Sequence, residues 1–120
     1  MVNVFTSNKT QGKFNKKKIS DIVEDQLKKR GVVDASLEIE IVGKNRMTRL
    51  NKDYMDRKGP TDVLSFPLPK ISELDNHIGT IFLCRDIIKI NSTKNSVSFQ
   101  NEFERNLRHG IDHLVGIHHK

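Results

Sequence analysis

The segment FQNEFERNLRHGIDHLVG, residues 99–116, is the stretch of this 120-residue sequence that says most about the fold. On a helix of about 100° per residue, five of its apolar side chains fall on one arc of the cylinder. Gly116 is placed to end such a helix through a left-handed turn. The spacing therefore predicts an amphipathic C-terminal helix whose buried face is formed by Phe99, Phe103, Leu107, Ile111 and Leu114.

Two histidines lie beside that apolar face. His109 and His113 are four residues apart, so on a helix their rings project from one side about one turn apart. The turn at Gly116 lets His119 approach the pair from another direction. Three imidazoles and a water molecule form a usual catalytic zinc site. The pattern predicts one divalent metal ion, most simply zinc, bound by His109, His113 and His119, with His118 as the alternative third ligand.

The remaining polar residues of this helix divide into two groups. Glu102 and Asn106 share the stripe of the histidines, whereas Arg105, Arg108 and Asp112 are expected on the far side. Metalloproteases with a similar histidine pair carry a glutamate directly after the first histidine as general base. Here that position is Gly110, and Asp112 faces the wrong way to replace it. The sequence therefore disfavours a protease.

The rest of the chain alternates between helical and strand patterns. The order β-α-β-α-β-β-α-α predicts an α+β protein, a single small domain over residues 1–120. We expect a mixed four-stranded sheet packed by helices, with the metal site at the end of the C-terminal helix. The expected elements are strand Val2–Thr6, a helix between Asn15 and Gly31, strand Leu37–Ile41, helix Met47–Tyr54, strands Val63–Leu68 and Ile78–Cys84, a helix from Arg85, and the C-terminal helix.

Composition limits the partners. The net charge is +6, and residues 1–30 hold eight Lys or Arg against three acidic residues, which favours an anionic partner such as nucleic acid. Lys16, Lys17 and Lys18 fall in the first turn of a helix, where the helix dipole disfavours cations. They form either a solvated face or a phosphate contact. The one cysteine, Cys84, excludes an intrachain disulfide. With no secretory signal or membrane-spanning run in view, we expect a cytoplasmic protein without a membrane partner.

Three blocks of the sequence resemble the YbeY family of bacterial rRNA maturation factors, which are metal-dependent, single-strand-specific endoribonucleases. The family's His-Gly-x-x-His-Leu-x-Gly-x-x-His block is present as HGIDHLVGIHH, residues 109–119. An Asn-x-x-Tyr block leading into Pro-Thr-Asp-Val-Leu-Ser-Phe-Pro is present as NKDYMDRKGPTDVLSFP, residues 51–67. A glycine followed by an apolar strand is present as IGTIFL, residues 78–83. The blocks occur in family order and nearly span the chain.

The resemblance implies a set of roles. His109, His113 and His119 would bind the metal, with His109 also counted as catalytic. Asp62, Ser65 and Lys58 would bind the substrate. That substrate would be RNA, namely the rRNA precursor of the small ribosomal subunit, in rRNA processing and ribosome quality control. Ribosomal proteins or an assembly GTPase are the further partners that the family suggests.

Some positions depart from the family pattern. An arginine tied to activity usually follows the tyrosine of the second block, and here Met55 follows Tyr54. We expect Arg57, two residues further on, to reach the same space and to act as a catalytic residue. Thr80 replaces an acidic residue after the strand glycine, and a leucine before the second histidine has become Asp112, expected to point outward. A metal-dependent endoribonuclease is the first hypothesis. The alternative is an RNA-binding assembly factor with a structural metal and weak or no catalysis.

Overall fold

The computed structural model describes residues 1–68 and 76–116. Within these residues the chain forms four strands and four helices in the predicted order. The elements are β1 (Val2–Asn8), α1 (Lys16–Lys29), β2 (Ala35–Val42), α2 (Lys44–Met55), β3 (Val63–Pro67), β4 (His77–Cys84), α3 (Arg85–Lys94) and α4 (Phe99–Leu114).

The four strands form one mixed sheet in the order β1-β2-β4-β3, which confirms the predicted fold class. Strands β1, β2 and β4 are parallel, and β3 runs antiparallel to β4. Ile81 stands at the centre of the sheet, because it pairs with Ile39 on one side and with Ser65 on the other. The edge strand β3 therefore places Ser65 beside the middle of β4.

The sheet is covered on both faces. Helices α1 and α4 lie over one face, where Leu27, Phe103, Leu107 and Ile111 pack with the apolar side chains of β2 and β4. Helix α2 covers the other face, and Met47 and Leu50 pack against Val42, Leu64 and Cys84. The largest apolar cluster thus lies under α4, the helix that carries the histidine pair.

Two glycines let α4 and β3 approach β4 closely. A Cβ on Gly110 would lie 3.0 Å from Cγ2 of Ile81 and 3.1 Å from Oγ of Ser65. Gly79 has φ +145°, and a Cβ there would lie 2.3 Å from the carbonyl oxygen of Phe66. Gly110 is buried against the sheet, so a side chain at this position would point into the core. The absence of a protease-type glutamate at Gly110 therefore has a packing reason.

The termini of the helices agree with the sequence signals. The Asn15 side chain accepts a hydrogen bond from the Lys18 amide at 3.1 Å, and Gly116 has φ +78° after the end of α4. The predicted ends of strands were less accurate, since β1 continues to Asn8 and β3 ends at Pro67 instead of Leu68.

None of the helices within residues 1–68 and 76–116 is long and apolar enough to cross a membrane.

Cys84 ends β4 and is fully buried. Its burial raises the pKa of its thiol above the ordinary value. A thiol that is inaccessible and held protonated is a poor nucleophile. Cys84 is therefore part of the core, as expected from the sequence.

Candidate functional site

A cleft of about 390 Å³ lies between α4, β3 and the segment that follows α2. The end of α2 and the segment after it contribute Met55 and Arg57, and residues 62–65 form a second wall. Helix α4 forms the third wall with four side chains that lie on one side of the helix. These are Arg105, Asn106, His109 and His113.

The histidine pair has the geometry of two ligands of one ion. The Nε2 atoms of His109 and His113 are 3.1 Å apart, and the ring centroids are 4.5 Å apart with an 81° angle between the planes. Tetrahedral zinc with Zn–N bonds of about 2.0–2.1 Å would separate two ligand nitrogens by about 3.4 Å. A shift of a few tenths of an ångström would therefore admit the ion, so the donor set fits zinc.

The third predicted ligand, His119, and the alternative, His118, lie outside the described residues. Within residues 1–68 and 76–116, no group of three or more His, Cys, Asp or Glu side chains is placed to hold a metal ion. The described chain thus contains two of the three predicted ligands, and the complete site stays a prediction.

Arg57 reaches the cleft because the segment after α2 is held by Asn51. The Asn51 side chain is buried, and its Nδ2 donates to the carbonyl oxygen of Gly59 at 2.9 Å. The main-chain carbonyl oxygen of Asn51 accepts a hydrogen bond from the Arg57 amide at 3.1 Å. Asp56 adopts a left-handed conformation between them, with φ 52° and ψ 43°. The asparagine of the second sequence block therefore has a positioning role for Arg57.

The three residues predicted to bind substrate have different locations. Asp62 lines the cleft, and its Oδ1 accepts a hydrogen bond from the Val63 amide at 2.8 Å. Ser65 also lines the cleft, but its hydroxyl donates to the carbonyl oxygen of Gly110 at 3.0 Å. Ser65 therefore ties β3 to α4. Lys58 is exposed and does not line the cleft.

Arg105 was assigned to the far side of α4, and that prediction is wrong. It lines the cleft together with His109, which follows it by four residues on the same side of the helix. Its Nη2 donates to Glu102, whose side chain is 2% exposed, while the Arg105 side chain is 64% exposed. The spacing to His109 was the signal that would have placed Arg105 correctly.

The Glu102 carboxylate fixes the position of the Arg105 guanidinium. Its Oε2 also accepts a hydrogen bond from Nδ2 of Asn106 at 3.3 Å. The hydrogen bond from Arg105 is the main reason that the pKa of Glu102 is lowered, and it outweighs the burial that raises this pKa. Glu102 is therefore held ionised, and it orients the exposed guanidinium of Arg105, which lines the cleft.

From the sequence we expected Asp112 to point outward into solvent, and that prediction is wrong. Its carboxylate accepts hydrogen bonds from Gln26 at 2.7 Å and from two nitrogens of Arg30 at 2.8 Å. The Arg30 guanidinium holds the pKa of Asp112 below its usual range. The aspartate in place of the family leucine thus links α4 to α1 through an ion pair.

The fold and the cleft define a class, namely an α+β domain with a mixed four-stranded sheet whose C-terminal helix presents two histidines to a basic cleft. The sequence model of the family described as Endoribonuclease YbeY matches residues 3–120. The chain therefore belongs to the YbeY family, as its three sequence blocks indicated.

Named relatives and a solved structure agree with this assignment. A protein named Endoribonuclease YbeY from Thermotoga neapolitana is 27% identical to this chain, over 80% of this chain and 61% of the relative. The protein of the same name from Sulfurovum sp. is 32% identical, over 76% of this chain and 65% of the relative. The one from Vesicomyosocius okutanii is 32% identical over 88% of this chain and 73% of the relative. A solution structure from Thermotoga maritima has a TM-score of 0.66 and 26% identity over 97% of this chain and 73% of its own. The chain thus spans about two thirds of the length of these proteins.

Proposed function

We propose that this protein is a metal-dependent, single-strand-specific endoribonuclease that acts on ribosomal RNA precursors. The observation that carries the proposal is the cleft in which the Nε2 atoms of His109 and His113 lie 3.1 Å apart beside Arg57 and Arg105. Family membership supports the reaction, since the relatives are named as endoribonucleases. Maturation and quality control of the small ribosomal subunit, with ribosomal proteins or a GTPase as partners, belong to the same proposal.

The metal site of this proposal consists of His109, His113 and His119. Neutral imidazoles are usual zinc ligands, and three of them leave one position for water or substrate. A bound zinc ion supplies a water of lowered pKa and polarises a phosphate oxygen. His109 and His113 face each other on one side of α4 and both line the cleft, so they would hold the ion between them.

The two arginines would bind the scissile phosphate. Arg57 enters the cleft from the segment after α2, and Arg105 enters from α4. Guanidinium groups form charge-assisted, often bidentate hydrogen bonds with phosphate oxygens. Fixed donors of this kind stabilise the negative charge that develops when a phosphodiester is attacked. Glu102 and Asn51 are the positioning residues that hold these two arginines in place.

Asp62 is the carboxylate that lines the cleft opposite the histidines. One of its oxygens is occupied by the Val63 amide. A carboxylate in this place would accept a hydrogen bond from a ribose 2′-hydroxyl, which is the group that distinguishes RNA from DNA. Asp62 would thus contribute to the choice of RNA as substrate.

A second candidate function is favoured by Met55. Its side chain is 40% exposed and lines the cleft at the position where the family resemblance implies an arginine. A cleft without that guanidinium would still bind RNA through Arg57 and Arg105. The second candidate is therefore an RNA-binding assembly factor whose metal is structural and whose cleavage is weak or absent.

A cleavage assay separates the two candidates. Zinc-loaded protein is incubated with 5′-labelled single-stranded RNA, and kcat/KM is measured for the unchanged chain, His109→Ala, Arg57→Ala and Arg105→Ala. We expect His109→Ala to remove cleavage, and each arginine variant to lower kcat/KM by about 10²-fold. Arg46→Ala is the matched control, because Arg46 is an exposed arginine of α2 outside the cleft.

RNA affinity is measured in parallel with cleavage, so that a loss of binding is distinguished from a loss of catalysis. If the unchanged chain cleaves no faster than His109→Ala while both bind RNA, the endoribonuclease proposal fails and the assembly factor stands. If Met55→Arg raises kcat/KM strongly without changing RNA affinity, the cleft is catalytic but impaired at this position.

A further inference from the structure

A second basic surface lies at the edge of the sheet where β4 ends and α3 begins. Two adjoining hollows of about 300 Å³ and about 350 Å³ share Lys13, Phe14 and Phe99. Arg85 and Lys89 of α3 border the first hollow, and Lys18 of α1 borders the second. We call this the N-terminal basic surface, and define it by Lys13, Phe14, Lys18, Arg85, Lys89 and Phe99.

The cations of this surface are not neutralised by neighbouring carboxylates. In the described part of the chain, Lys13, Lys18, Arg85 and Lys89 form no ion pair, in contrast to Arg108, which contacts two carboxylates. The first turn of α1, which contains Lys18, has no acidic residue. Because the positive end of the α1 dipole lies at the same place, it adds to the potential of the four side chains.

Asp86, a carboxylate close to this surface, is directed elsewhere. Asp86 follows Arg85 in the first turn of α3, but its Oδ2 accepts a hydrogen bond from the Lys44 amide at 2.8 Å. That contact turns the Asp86 carboxylate toward the start of α2. The potential over the two hollows is therefore set by cations and by a helix N-terminus, which favours a polyanion.

The floor of the surface is aromatic. The Phe14 ring packs against Phe103 with a centroid distance of 5.1 Å and against Phe99 at 6.0 Å. Phe14 and Phe99 are only partly buried. Cations around aromatic rings are characteristic of surfaces that bind single-stranded nucleic acid, because the rings contact unpaired bases while the cations contact phosphates. A double helix keeps its bases stacked inside and cannot use such a floor.

This surface lies on the same helix as the cleft. Phe99 begins α4 and His109 follows ten residues later, which corresponds to about 15 Å along the helix axis. We propose that the N-terminal basic surface is a second binding site for single-stranded RNA and holds the strand outside the cleft. This inference rests on the proposed function for the identity of the polyanion, but it concerns binding and not cleavage.

The test measures binding without cleavage. Fluorescence anisotropy of a labelled single-stranded RNA is followed at several salt concentrations with proteins that all carry His109→Ala. The triple change Lys13→Ala, Lys18→Ala and Lys89→Ala is compared with the matched change Lys28→Ala, Lys52→Ala and Lys94→Ala, which removes the same charge from exposed positions elsewhere. Thermal melting of each protein checks that the fold is retained.

We expect the surface variant to bind about tenfold more weakly than the matched variant at low salt, with a log–log salt slope smaller by about 2. We also expect an unlabelled double-stranded competitor to displace the RNA poorly. Equal affinities of the two triple variants would overturn the inference and leave the proposed function intact, with all binding assigned to the cleft. If the RNA does not bind even to the protein that carries His109→Ala alone, both this inference and the proposed function fail. Binding of the lysine-bearing surface to anionic phospholipid vesicles but not to RNA would also overturn the inference.

Discussion

Glu102 is an unusual residue for the interior of a small protein, because its carboxylate is 2% exposed and ionised. Isolated buried charges are costly, and they persist in proteins when they are paired and hydrogen-bonded. Arg105, Asn106 and Asn95 supply these partners. The buried carboxylate therefore has a structural role, and it also determines where the Arg105 guanidinium lies in the cleft.

We predict that Glu102→Gln removes part of the acid sensitivity of the fold. Since the folded-state pKa of Glu102 lies below the ordinary value of 4.5, its ionised form stabilises the protein above that pH, and this contribution is lost as pH falls through the folded-state pKa. The variant should therefore lose about 1–2 kcal/mol of unfolding free energy at pH 7. Its stability should also decline less steeply below pH 4.5, as measured by urea unfolding over pH 3 to 7.

The control for this prediction is Glu24→Gln. Glu24 is exposed on α1 and forms no ion pair with any residue that the structure describes. Its variant should follow the unchanged protein at every pH. A Glu102→Gln protein with the same acid limb as the Glu24→Gln protein would show that the buried carboxylate is not linked to folding as stated.

At the scale of residues, the sequence predicted side chains whose neighbours are close in the chain. The pairing of His109 with His113 follows from helix geometry alone. The contacts of Asp112 could not be predicted in this way, because Gln26 and Arg30 are more than 80 residues away. The error at Arg105 had another cause, since its helical position beside His109 was available from the spacing.

At the scale of elements, Gly79 fixes how the end of β3 meets β4. Its φ of +145° is accessible to glycine, and a Cβ would lie 2.3 Å from the Phe66 carbonyl oxygen and 2.8 Å from Leu114. We predict that Gly79→Ala costs about 3 kcal/mol or more, because backbone strain and a backbone collision add together. Thermal and urea unfolding measure this loss.

Gly31→Ala is the matched comparison for Gly79→Ala. Gly31 also has a positive φ, +77°, but nothing lies within 4 Å of its Cβ position. This variant should cost only about 1 kcal/mol, the strain of a left-handed alanine. If the two variants lose the same stability, the close approach at Gly79 does not limit the packing of β3.

An ion pair links α1 to α4. Arg30 and Asp112 form a two-pronged ion pair with side-chain exposures of 35% and 20%. A double-mutant cycle with Arg30→Gln and Asp112→Asn should give a favourable coupling energy, because two nitrogens of the guanidinium contact the carboxylate. The pair Lys17–Asp21, whose side chains are 84% and 62% exposed, should give a smaller coupling energy of about 0.3 kcal/mol in its own double-mutant cycle. A coupling near zero for the first pair would mean that it does not hold the helices together.

The sequence indicated the elements better than it indicated their ends. Alternation in β2 and helical spacing in α4 placed both elements correctly, because each has one buried face. The extension of β1 to Asn8 depends on its pairing with Ile41 of β2, which no local pattern in β1 reveals. The end of β3 likewise depends on the close approach at Gly79.

At the scale of the whole molecule, the mixed sheet and the order of elements were predicted, whereas the strand order was not. The position of β3 beside β4 brings Asp62 and Ser65 to α4, and this arrangement produces the cleft. Lys58 stays outside it, because the segment after α2 presents Arg57 to the cleft instead. The spatial relation between the cleft and the N-terminal basic surface likewise emerges only from the assembled fold.

In the proposed metal site, three histidines bind one zinc ion, and two of them are His109 and His113. Equilibrium dialysis against zinc followed by elemental analysis counts the metal bound to each chain. The unchanged protein and His118→Ala should retain about one equivalent, and His113→Ala and His119→Ala should retain little. His113→Ala protein that is folded and still holds as much zinc as the unchanged chain would contradict the claim.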